Sequence, residues 1–127
     1  MADDTLTFTF PMPDRMLYAN GRAHWAVKSK VKNALWATCD RLVLGEVLPD
    51  PPKAPWTKAT VRSVMTVGAM HDDDNAMNRH KPILDWLVTR GYVVDDKRKH
   101  LQWEGLPTQR VSRKNAPSIE LTLTRVA

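Results

Sequence analysis

The sequence predicts an α+β (α/β) fold: a mixed β-sheet with two main helices packed against it, in the order β-α-β-α-β-β. Three observations carry that prediction. Both ends of the chain alternate apolar and polar residues with a period of two, at Thr5 to Phe10 and again at Ser118 to Arg125. A long stretch from about His24 to Leu44 repeats its apolar residues every three to four positions. Between them, an apolar strand pattern gives way to acidic residues and then to a second helical pattern.

Taken in order, Leu6, Phe8 and Phe10 form one face of the first strand and Thr5, Thr7 and Thr9 the other. Pro11, Met12, Pro13 and Asp14 end it, and an irregular stretch runs on through Asn20 and Gly21. The first helix places Val27, Val31, Leu35, Cys39 and Leu42 on one stripe, with Lys28, Lys30 and Lys32 mostly off it; Gly45 is the expected stop. Pro49, Pro51, Pro52 and Pro55 mark an extended loop too short to link domains. Ala59 to Val67 reads as the second strand, with Val61, Met65 and Val67 on one face. A second helix runs from near Met77 or Lys81 to Thr89, with Pro82 best placed in its first turn and Gly91 closing it. His100 to Gly105 is a weaker strand candidate and Ser118 to Arg125 a strong one. No internal repeat or low-complexity segment interrupts this order, so residues 1–127 read as one domain.

Composition narrows the function classes. A chain of 127 residues that is 43% hydrophobic is no disordered tail, and one domain of this size buries about two-thirds of its unfolded surface. No apolar run approaches the ~20 residues that span a bilayer, and the segment beginning Met1-Ala2-Asp3-Asp4 lacks the basic and apolar regions of a signal peptide. Cys39 is the only cysteine, which excludes an internal disulfide and fits a reducing cytoplasm. The expected location is therefore cytoplasmic.

The net charge is +5 and the pI about 9.6, a balance that suits a polyanionic partner. Its distribution says more. Five bases lie between Arg15 and Lys32, and seven follow Asp96, against two acids there. Six of the fourteen acids fall within 25 residues: Asp72, Asp73, Asp74, Asp85, Asp95 and Asp96. A basic protein with one acidic centre matches the needs of a metal-dependent enzyme acting on nucleic acid, and equally those of an unevenly charged, solvated surface.

Asp72 and Asp74, followed by Asn75, stand where strand gives way to helix; on a strand they share a face and Asp73 points away. Asp95 and Asp96 follow the helix after a turn, and a strand–helix–turn unit of this length can bring both groups to one end of the fold. Carboxylates held together repel one another, and a divalent cation relieves the repulsion. Hard oxygen donors favour Mg²⁺, with Mn²⁺ as a substitute, over zinc. Such an ion polarises a phosphodiester and activates water. Lys81 is placed to offer positive charge to the phosphate in the transition state. An EF-hand loop from Asp72 fails at Met77 and Ile83, where it requires glycine and glutamate. One cysteine with His24, His71, His80 and His100 at no ligand-like spacing makes no zinc site. No Gly-rich phosphate loop, dinucleotide fingerprint or nucleophile elbow is present, so no organic cofactor is expected.

The longer pattern runs Asp72, Asp74, Asn75, Lys81, Asp85, Leu87, Gly91, Asp95, Asp96, with Asn20, Gly21, Arg22, His24, Trp25 and Lys28 upstream. It resembles RusA-type crossover junction endodeoxyribonucleases, most closely the phage and prophage versions, over most of the chain. The resemblance implies a homodimer that resolves four-way (Holliday) DNA junctions by paired, Mg²⁺-dependent nicks leaving 5′-phosphate and 3′-hydroxyl ends. It places the metal ligands at Asp72, Asp74 and Asp96 and the essential lysine at Lys81, so these four form the expected catalytic set. Three consecutive aspartates leave Asp73 as an alternative to Asp72, and the gap from Asn75 to Lys81 matches the phage-like members. Asp85 orients Lys81 or is a solvated charge, and Asp95 shapes the turn. His71 and His80 read as incidental neighbours, and Trp25 and Trp36 as core or dimer contacts. Asn20, Arg22, His24, Lys28 and Lys30 are the expected DNA contacts, with Lys97 and Lys99, flanking Arg98, beside the active site. Two other functions share these residues: a nuclease acting on flaps and other branches, and a DNA-junction-binding protein without turnover.

Overall fold

The computed structural model describes residues 4–14 and 25–126. They form β1 (Thr5–Pro11), α1 (Trp25–Leu44), β2 (Ala59–Val67), α2 (Asp73–Asn78), α3 (Lys81–Thr89), β3 (Leu101–Trp103), β4 (Thr108–Val111) and β5 (Ser118–Arg125). The α+β class is as expected, with one sheet that is parallel in part and antiparallel in part.

β2 is the spine of that sheet. On one side it pairs antiparallel with β5 from Ala59 to Thr66, and β5 in turn pairs antiparallel with β1 from Thr5 to Pro11. On its other side it is shared by two short strands, both parallel to it: β3 covers Ala59–Val61 and β4 covers Val64–Val67. Parallel strands need a crossover, and α2 with α3 supplies the one from β2 to β3.

Alternation in β2 and β5 selects the core. Ala59, Val61, Met65 and Val67 are buried from β2, and Ile119, Leu121 and Leu123 from β5. β1 adds Phe8 and Phe10, whose rings stack 5.3 Å apart. Tyr92 meets Phe8 edge-on at 5.3 Å, and Trp86 of α3 meets Phe10 edge-on at 5.8 Å, so α3 is fixed to the sheet through aromatic contacts. Burying each such side chain stabilises the fold by about 1.5–3 kcal/mol. Pro82 does sit in the first turn of α3, and Gly91, at φ 85°, follows that helix.

α1 docks on α3 through polar groups as much as apolar ones. Asp40 accepts from Arg90 Nε and Nη2 at 2.9 Å each and from the buried Trp86 indole at 2.9 Å. The Arg90 hydrogen bond is the main reason its carboxyl is held below the usual carboxylate range. Trp36 donates to the Pro82 carbonyl at 3.1 Å, with Lys32 and Arg90 over its ring at 4.8 and 5.6 Å. Trp36 is thus a helix–helix contact. Cys39 lies in this seam, and burial pushes its thiol up to about 12.

Four expectations need correction. An extra helix, α2, precedes α3, and β4 was not anticipated: its Thr-Gln-Arg-Val sequence has no apolar alternation, and pairing to β2 rather than side-chain burial defines it. The third strand is only Leu101–Trp103 instead of reaching Gly105. The stripe on α1 does not extend to Val27, which is exposed, because the helix reaches the core only from Leu35 onward. Gly45 follows α1 directly, as expected of its stop, and the left-handed residue is Glu46, at φ 61°. Val47 N–H bonds to the Leu42 carbonyl and Glu46 N–H to that of Val43, the paired closure of a Schellman motif.

Candidate active site

α2 begins at the acidic run, and its first turn explains how. Asp72 is extended, at φ −68° and ψ 165°, and caps the helix: its Oδ1 accepts from Asn75 N–H at 2.8 Å and its Oδ2 from Asn75 Nδ2 at 3.3 Å. Asp73 and Asp74 follow in the first turn, where the helix dipole favours negative charge. The strand expectation for this segment is therefore corrected. Asp72 and Asp74 do not share a strand face, and positions two apart in a helix point away from one another. All three side chains are exposed.

The loop before the cap is held from β4. Gln109 Oε1 accepts from the His71 N–H at 2.8 Å while its Nε2 donates to the His71 carbonyl at 3.0 Å. One side-chain amide thus pairs with a backbone as a neighbouring strand does, and fixes the residue immediately before Asp72.

His80 is no incidental neighbour. It is fully buried between α2 and α3, edge-on to Trp103 at 5.0 Å. Its Nδ1 lies 2.8 Å from the Ala76 carbonyl, which can only accept, so Nδ1 carries the proton. Burial lowers its pKa, the ring is neutral, and Nε2 accepts from the buried Ser63 hydroxyl at 2.6 Å. β2 therefore anchors the start of α3, and with it Lys81.

Lys81 projects from that start between two carboxylates. Its Nζ is 2.9 Å from Asp96 Oδ2 and 3.2 Å from Asp85 Oδ1 one turn along. The hydrogen bond it donates to Asp96 is the largest cause raising its pKa, so it stays charged. Asp85 thus orients Lys81. Asp95 shapes the turn: its Oδ1 accepts from the Asp96 N–H at 2.7 Å, and that hydrogen bond is the main cause holding its carboxyl below the usual range. Lys97 reaches Asp95 at 4.0 Å.

Of the expected catalytic set, then, Lys81 and Asp96 are brought together, while Asp72 caps α2 and Asp74 lies in its first turn. Among the described residues no three acidic, histidine or cysteine side chains gather as a metal site. The donor chemistry does suit a hard cation: Asp72, Asp74 and Asp96 offer only oxygens, and each bonded oxygen keeps a lone pair. Asn20, Arg22 and His24 lie outside the described residues. Lys28 is half-buried and Lys30 exposed on α1, and Lys97 and Lys99 are exposed beside Asp96. Beyond Asp96 a cleft of about 350 Å³ is lined by Arg98, Leu101, Gln102 and Trp103. Gln109, Ser63, His80 and this cleft carried no mark in the sequence, since each depends on pairing between segments far apart in the chain.

No protein-family model matches this sequence, and no curated protein matches it. Among the described residues no helix is long and apolar enough to cross a membrane.

Proposed function

We propose that this chain is a RusA-type, Mg²⁺-dependent endonuclease that acts as a homodimer on four-way DNA junctions. The observation that carries the reading is the 2.9 Å contact between Lys81 and Asp96, which joins two of the four residues in the expected catalytic set across fifteen positions. A charged lysine held between two acids, in a chain whose sequence pattern also carries Asp72 and Asp74, supports phosphodiester chemistry better than a solvated surface does.

In this reading Asp72, Asp74 and Asp96 are the residues that would hold Mg²⁺, or Mn²⁺ as a substitute, which when bound would supply phosphate polarisation and a water of lowered pKa. Lys81 faces its ammonium to the scissile phosphate and offsets the charge that grows there, while Asp85 keeps the side chain from swinging away. Lys97 and Lys99, with Lys28 and Lys30 of α1, neutralise flanking phosphates. Two copies related by a two-fold axis present one site to each of two opposed strands, which matches the approximate symmetry of the junction.

The test is cleavage of a labelled mobile four-way junction with and without Mg²⁺, beside linear duplex and a 5′ flap, with Asp74→Asn in parallel. Paired, ligatable nicks that need Mg²⁺ and vanish in the variant support the reading. Equal cutting of the flap replaces it with a general branch nuclease. Tight junction binding without cleavage in Mg²⁺ or Mn²⁺ replaces it with a junction-binding protein.

A further inference from the structure

The C-terminal end of α1 leaves a leucine in solvent. Leu44 keeps 85% of its area exposed, more than any other large apolar side chain among the described residues, and Val47, just past the helix, is exposed as well. Leu44 also forms the rim of a cleft of about 280 Å³ between α1 and α3. Asp40, Val43 and Leu44 line it from α1, Trp86 and Arg90 from the end of α3, and Pro51 and Tyr92 close it. On both helices these positions are three or four apart, so they share one face and converge on the same space. The rings of Trp86 and Tyr92 are buried and form its base. The cleft is held in shape from two sides. Asp40 ties the helices together through Trp86 and Arg90, and the Tyr92 hydroxyl donates to the Pro49 carbonyl at 2.6 Å beside Pro51. A protruding leucine beside a preformed apolar hollow puts a knob and a hole on one patch, as an isologous contact requires.

The charges around Leu44 are arranged to match. Arg41 lies three residues before it on α1, and so on the same side of the helix, and Glu46 lies two residues after it; both are exposed. The Arg41 guanidinium donates to the Thr38 hydroxyl at 3.1 Å, and among the described residues neither Arg41 nor Glu46 is in an ion pair. Along the chain the order is base, leucine, acid; in the opposite direction it is acid, leucine, base. Two such segments packed antiparallel about a two-fold axis at Leu44 set each Arg41 against the Glu46 of the other copy. They also carry each Leu44 onto the other copy's cleft.

We propose that this end of α1, with the cleft beside it, is the surface through which two copies of the chain associate. The choice of a second copy rests on the homodimer of the proposed function, and the place of the contact on the charge order and the cleft. Arg90 marks the contact end of α3 and Lys81 the other end, about 13 Å away at 1.5 Å per residue. The dimer therefore leaves the Lys81 end of each α3 clear for DNA.

The experiment is sedimentation equilibrium of the full chain without DNA over a wide range of concentrations. Wild type is expected to move from the 14.5 kDa of one chain towards twice that mass as concentration rises. Leu44→Lys sets two ammonium groups together on the axis and weakens association on the order of tenfold or more, as the loss of a central anchor does. Lysine suits the C-terminal end of a helix, so this loss is not a loss of fold. Arg41→Glu weakens association because like charges then meet, and Arg41→Glu combined with Glu46→Arg restores it, since exchanging both signs keeps every cross-pair opposite. Three results overturn the proposal: a monomer at every concentration, a dimer that Leu44→Lys leaves intact, or a double variant no tighter than Arg41→Glu. Cleavage of a four-way junction in Mg²⁺ by the wild type reports on the nuclease reading separately. Cleavage by a protein that fails these tests removes the surface alone, and a dimer that passes them without cleaving removes the nuclease reading alone.

Discussion

The side-chain amide of Gln109 makes both of its hydrogen bonds to the backbone of His71, at 2.8 and 3.0 Å, and so ties β4 to the residue that precedes the Asp72 cap. β4 pairs with the far half of β2, so the acidic turn is held by the sheet through this single side chain. Gln109→Ala removes both bonds at the rim of the fold and leaves two backbone groups to water. The expected result is a loss of about 1–2 kcal/mol in urea unfolding, from two bonds of about 1 kcal/mol each. Junction cleavage is expected to fall by more than this stability loss explains, with a higher Mg²⁺ requirement. A variant with an unchanged Mg²⁺ requirement would show that the turn is positioned by other means.

Asp72 caps α2, and in the proposed function it also holds the metal; one pair of substitutions separates the two roles. Asn is as good an N-cap as Asp, whereas Ala costs about 1 kcal/mol at such a position. Asp72→Asn is therefore expected to keep the melting temperature of the wild type and lose cleavage, and Asp72→Ala to lose both. Full activity in Asp72→Asn would mean that Asp73 serves in its place, since Asp73 and Asp74 are the other acids in that turn and Asp74 is already assigned as a ligand in the proposed reading.

Lys81 is exposed and paired at the surface, with 63% of its side chain accessible, so its ion pairs contribute at most about 1 kcal/mol to folding. Lys81→Met is expected to leave urea unfolding within that margin while slowing junction cleavage on the order of 10²–10³-fold, the effect of removing one transition-state donor. A loss of stability without loss of rate would reassign the lysine as a strut between α3 and the Asp96 turn.

How much of this was legible in the sequence follows from what fixed each element. β1, β2 and β5 were readable because their faces alternate and one face is buried: Phe8, Phe10, Met65 and Leu121 sit where the period of two placed them. α3 was readable from Ile83, Leu84, Leu87 and the flanking Pro82 and Gly91. β4 carries no such signal, because an edge strand of Thr, Gln, Arg and Val is held by main-chain bonds to β2. The acidic run was visible as a cluster, but its conformation turned on a local competition that composition does not decide. Asp72 accepts from the N–H of Asn75, which begins a helix and ends the strand pattern. His80 looked incidental because a histidine between Arg79 and Lys81 reads as surface. Only the approach of Ser63 from β2, seventeen residues away, shows it to be core.

That buried pair makes stability depend on pH in a defined direction. Desolvation is the main cause lowering the pKa of His80 below its ordinary value of 6.5, so the folded protein takes up its proton less readily than the unfolded chain. Its contribution is complete above about 6.5 and is lost as pH falls from there through the lowered folded value, because the unfolded state binds the proton first. Protonation would also turn Nε2 from acceptor to donor, which Ser63 must then meet by reversing its hydroxyl. Urea unfolding between pH 7.5 and 5 is expected to show stability falling with acidity, and His80→Gln is expected to flatten that slope at the cost of a lower baseline. Ser63→Ala leaves Nε2 without its donor at a buried position, a loss of about 1–3 kcal/mol at pH 7.5. A wild-type slope that persists unchanged in His80→Gln would place the titrating group elsewhere, with His71 next to be substituted, since desolvation lowers its pKa too.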